Sequence, residues 1–148
     1  MRAYAHQYRT TLLCIDSYEN GVLTGRMYNP ALEEGAAFQS LTQLLRQMEG
    51  LLDTLEFPQP FTAPRRFAAP PPLPGDAPAA SAERSGRLAT FAVQIFFRRN
   101  ASWQGSVSWL EGRQDSPFRS AMELVLLMDS ALLGQTPREK EPPAEDEA

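Results

Sequence analysis

One histidine, one cysteine and one lysine occur among 148 residues. With Cys14 alone, an intramolecular disulfide is excluded. No His, Cys, Asp or Glu grouping has zinc-ligand spacing, so no metal or cofactor is expected. His6 lies near the amino end, outside every patterned segment, which leaves a Ser–His–Asp or Cys–His apparatus without a placed base. Gly-rich phosphate loops are also missing. The most apolar stretch, residues 121–128, contains Glu123 and is too short to cross a bilayer. Residues 1–9 lack the apolar core of a signal peptide. These absences predict a cytoplasmic chain with no membrane partner, no catalytic residue and no enzyme activity. Asp16, Glu111 and Asp115 are the carboxylates from which an acid/base pair would have to be drawn, and surface charge is their default reading.

The formal net charge of −4 argues against a strongly basic nucleic-acid protein, and 43% apolar residues argue against a wholly disordered chain. Thirteen arginines against the one lysine fit a compositional bias toward Arg, Ala, Pro and Gly. Of 13 prolines, eight fall between residues 58 and 85, where Pro70–Pro72 and Pro74 favour polyproline II. Residues 58–86 therefore read as a Pro/Ala-rich linker, and residues 135–148 as a disordered acidic tail.

An internal repeat organises the rest. Residues 10–52 align without a gap on residues 90–132, with nine identities in 43 positions. Ile15/Ile95, Asn20/Asn100, Gly25/Gly105, Phe38/Phe118, Ser40/Ser120 and Leu44/Leu124 are among the matches. Each copy predicts strand, turn, strand, loop, helix. Leu13 and Ile15 alternate with polar neighbours, as do Phe91, Val93, Ile95 and Phe97. A three-residue loop with Gly21 left-handed pairs Ile15 with Gly25 and Leu13 with Met27. The same register pairs Val93 with Val107 and Phe97 with Trp103, gathering apolar side chains on one face. Phe97, Trp103 and Trp109 are then expected in the core. Helices are predicted over residues 38–55 and 118–133, with Ser40-x-x-Gln43 and Ser120-x-x-Glu123 as capping boxes. Ser116-Pro117 is a rival start for the second helix.

The expected fold is α+β: a duplicated ββα unit giving a four-stranded antiparallel sheet with two helices on one face. Residues 1–134 form a single domain, built from repeats 10–57 and 87–134. One ββα unit has too little core to stand by itself, so the copies must pack together.

The segments Arg99-Asn100-Ala101-Ser102-Trp103-Gln104-Gly105-Ser106-Val107 and Phe118-Arg119-Ser120, with Glu123-Leu124 following, resemble a set of short uncharacterised bacterial proteins. The resemblance covers residues 90–133. It implies a bacterial source and brings no activity with it.

Two surfaces remain as functional candidates. The second helix is apolar almost all round, and Leu126 and Leu133 exceed what one sheet face can cover. They predict a partner interface with another protein or with a second copy of the chain. The uncovered sheet face is expected to carry Tyr18, Arg26, Tyr28, Phe96 and Arg98, aromatics and arginines of the kind that stack on and neutralise single-stranded nucleic acid. The leading expectation is a non-enzymatic binding or regulatory module acting through protein contacts, with nucleic-acid binding as the alternative.

Overall fold

A computed structural model of the chain describes residues 9–32, 34–61, 63–68 and 84–135. Its elements run β1 (Thr10–Glu19), β2 (Val22–Tyr28), β3 (Ala36–Phe38), α1 (Leu41–Leu55), β4 (Ala89–Phe97), β5 (Gln104–Trp109), β6 (Gln114–Phe118) and α2 (Ala121–Leu132). The strands form one antiparallel sheet in the order β3-β2-β1-β4-β5-β6. The α+β class and the antiparallel sheet are as expected, but the sheet has six strands rather than four. The His6 position and most of the linker and tail lie outside the described residues.

The two extra strands are β3 and β6. Ala36–Phe38 is too short to show an alternating pattern. Gln114–Phe118 contains Gln, Asp and Pro, residues poorly suited to an inner strand. Pro117 is tolerated because β6 is an outer edge, and that edge position also overturns Ser116-Pro117 as a helix start. Both helices consequently begin later than predicted. Ser40 and Ser120 are the N-caps, each hydroxyl accepting a hydrogen bond from the backbone N–H three residues on, at 3.1 Å. Gln43 and Glu123 reach back one residue beyond the cap, accepting from the N–H of Gln39 and Arg119.

Ile15 pairs with Gly25, Leu13 with Met27 and Val93 with Val107, as the apolar pattern required. The route to that register differs. Asn20 and Gly21 both have positive φ (54° and 76°), as do Asn100 and Ala101 (58° and 55°), so the connections are two-residue turns. The extra residue sits instead in bulges between Ile15 and Ser17 and between Ile95 and Phe97. Phe97 therefore pairs with Gln104, not Trp103. Beyond each bulge the strand's faces are exchanged.

The helices cover one face. Leu13, Ile15, Met27, Phe38, Phe91, Val93 and Val107 join Leu44, Met48, Leu124 and Met128 in a single buried cluster. Gly25 faces Phe38, and Gly105 faces Phe118. A Cβ at Gly25 would lie 2.1 Å from the Cys14 carbonyl oxygen, and one at Gly105 would lie 1.9 Å from that of Gln94. Only glycine allows these strands to approach so closely. At the centre of the sheet Leu12 is paired with Ala92, the residue 80 positions further on.

Candidate functional site

The bulges decide where the predicted site residues go. Tyr18 and Arg98 follow them and are turned onto the helix side, away from the open face expected for both. The Tyr18 hydroxyl donates to Asp129 of α2 at 2.5 Å, a bond that raises its pKa above the ordinary tyrosine value. Arg98 is only 2% exposed. Its Nε donates to the Pro58 carbonyl, and its Nη1 donates to Glu49 and Asp53 of α1 at 2.9 and 2.8 Å. Trp103 Nε1 donates to the other Glu49 oxygen. Each half thus anchors its first strand to the helix of the other half.

Arg26 and Tyr28 do lie on the face opposite the helices, but they are covered. Arg26 is 6% exposed and forms a two-pronged ion pair with Asp16 at 2.9 Å. It also donates to the Tyr28 hydroxyl and to the Ser85 carbonyl. Burial works against its charge, but the bonds to Asp16 and Tyr28 outweigh it and raise its pKa. Residues 84–88 form the cover. Arg84 lies 3.8 Å above the Tyr28 ring, the Arg87 N–H donates to Asp16, and the Leu88 N–H donates to the Ile15 carbonyl. Cys14 is buried beneath, and burial pushes its thiol up to about 11. It is therefore protonated near neutrality and inert as a nucleophile.

Of the five residues proposed for nucleic acid, only Phe96 remains an exposed aromatic, at 43%. The five form no common surface: two point to the helices, two are beneath residues 84–88, and one stands in a bulge. The sequence pattern missed this because alternation was carried unbroken through Asp16 and Phe96.

Phe97 is also 43% exposed, against the expectation of a core position, whereas Trp103 is buried and Trp109 is packed against the core. The Arg99 guanidinium lies 4.2 Å from the Phe97 ring centre and 5.1 Å from that of Phe61. Phe61 is held there by its N–H, which donates to the Arg98 carbonyl. Arg9 lies 4.6 Å from the Phe57 ring centre. The cluster of Phe61, Phe97 and Arg99 joins two segments far apart in the chain, so no local pattern announces it.

Leu126 and Leu133 are exposed as expected, at 55% and 63%, and Met122 joins them at 70%. Under the same helix, a cleft of about 260 Å³ is lined by Phe91, Val107, Trp109, Leu127 and Ala131, with Ser130 at its side. The three carboxylates weighed as acid/base candidates have separate duties. Asp16 pairs with Arg26, Glu111 accepts from the Thr90 N–H, and Asp115, on edge strand β6, lines the cleft beside Trp109. Among the described residues, no group of three or more His, Cys, Asp or Glu is placed to hold a metal ion, and no helix is long and apolar enough to cross a membrane.

Together these features define a class: a six-stranded antiparallel α+β module with an apolar helix face and an arginine–aromatic cluster. Comparison with protein-family models, curated proteins and solved structures found no match.

Proposed function

We propose that the protein is a non-enzymatic binding module that acts through protein contacts and self-associates through the outer face of α2. The observation that carries this reading is the contrast between the helices. Met122, Leu126 and Leu133 are exposed on α2, while the positions 80 residues earlier are Thr42, Arg46 and Asp53. The scaffold does not require apolar residues there, since α1 performs the same packing with polar ones. Apolar residues on this face also suit an isologous contact, in which the same patch of each copy meets the other. The shared element order, bulge positions and N-cap serines support descent of the two halves from one duplicated βββα unit. Light scattering on the purified chain tests the proposal. The expected mass is about twice 16.5 kDa at tens of micromolar, falling to the monomer in Leu126→Arg. A wild-type monomer under these conditions overturns self-association.

A further inference from the structure

The cluster at the end of β4 lies apart from the α2 face and carries a separate inference. Strand residues normally alternate between faces, but the bulge at Phe96 leaves both Phe96 and Phe97 exposed. Arg99 stands over Phe97 and Phe61, so its guanidinium is held by two ring faces. Arg99 has no carboxylate partner among the described residues. A stacked guanidinium keeps its N–H edge outward, in the planar fork that fits a phosphate. The equivalent bulge in the first half carries Asp16 and Ser17, followed by Glu19 where Arg99 stands. The bulge itself therefore needs neither aromatic nor basic side chains.

We propose that Phe61, Phe96, Phe97 and Arg99 form a binding site for single-stranded nucleic acid. Arg99 contacts a phosphate, and the exposed phenylalanines supply faces on which bases stack. An acidic peptide would match the arginine but leave several exposed rings without a role, which favours nucleic acid. The site rests neither on self-association nor on the α2 surface.

Fluorescence anisotropy with labelled 12-mers of uridine and of thymidine, at about 50 mM salt, tests this on the full chain. Binding is expected, with a slope of log affinity against log salt of roughly −0.7 for the one phosphate that Arg99 neutralises. Arg99→Ala and Phe96→Ala are each expected to weaken binding about tenfold, within the range for loss of one stacked base or one phosphate contact. Arg113→Ala, on an exposed arginine in the turn beyond the opposite end of β5, should leave affinity unchanged. Preference for uridine would mark RNA as the ligand, and equal affinity would mark single strands of either sugar; both support the site. Circular dichroism checks that the variants are folded. The proposal is overturned by absence of binding, by binding indifferent to folded Arg99→Ala and Phe96→Ala, or by equal affinity for a polyglutamate of matching charge.

Discussion

The two halves of the chain share strand order, bulge position, cap residues and a glycine facing a phenylalanine, yet differ in what they place around these shared features. Beyond its bulge, the first half uses neutral Tyr18 to reach Asp129, whereas the second uses charged Arg98 to reach Glu49 and Asp53. At the bulges themselves, Asp16 is tied to Arg26 under residues 84–88, while Phe96 and Phe97 are exposed. Between their second and third strands the halves differ again. In the first, Asn29 donates to the Thr10 carbonyl and the Thr11 hydroxyl, and Ala31 and Leu32 pack on the core. In the second, a tight turn over residues 110–113 leaves the cleft beside Trp109. The comparison teaches that the two halves reach the same backbone architecture with a small set of shared residues, and that the remaining positions are free to differ.

The cross-half anchors offer the largest effect with which to break this comparison. Arg98→Ala takes the donor from partly exposed Glu49, from exposed Asp53 and from the Pro58 carbonyl, and is expected to cost about 2–3 kcal/mol. Tyr18→Phe, at the matching position, removes one hydrogen bond and is expected to cost about 1 kcal/mol. Urea unfolding of both variants measures the difference. Equal losses would mean that the anchors are equivalent despite their chemistry.

Smaller in stability, but decisive for assembly, is Leu126→Arg, which gives α2 the residue that α1 carries as Arg46. The expected outcome is a monomer by light scattering that remains folded by circular dichroism, because the site is exposed in the single chain. A dimer that persists in this variant would place the contact elsewhere.

The smallest expected effect concerns the helix caps. Side-chain and backbone hydrogen bonds with Arg119 hold the Glu123 carboxyl down at about 2, whereas its counterpart Gln43 cannot titrate. The unfolded value is about 4.3. A depressed carboxyl stabilises the fold above that unfolded value and loses the contribution as pH falls toward 2. Melting temperatures of Glu123→Gln should therefore decline less steeply than those of the parent between about pH 4.3 and 2. Parallel curves would show that this bridge contributes nothing to acid sensitivity, as many exposed pairs do.

Much of the scaffold was legible because it rests on local, repeated signals. Ser40 and Ser120 mark helix starts by the chemistry of unsatisfied N–H groups, and both caps form. Ile15 opposite Gly25 and Val93 opposite Val107 follow from the need to keep apolar residues on one face. Leu126 and Leu133 stood out because a helix cannot bury residues all round against one sheet. The placement of Tyr18 and Arg98 was not legible. A bulge adds one residue with no compositional mark, and every later side chain changes face. Residues 84–88 were equally hidden, since their cover over Arg26 depends on backbone groups such as the Ser85 carbonyl.

By itself, then, the sequence determined the α+β class, the pairing of Ile15 with Gly25 and of Val93 with Val107, and the apolar excess on the second helix. Those features follow from periodicity and capping, which act between near neighbours in the chain. Only the tertiary structure decided that edge strands β3 and β6 complete the sheet, that Arg26 and Arg98 are buried in ion pairs, and that Phe61, Phe97 and Arg99 meet. Those outcomes depend on which segments are brought together after the chain has turned back on itself, and no local pattern encodes that meeting.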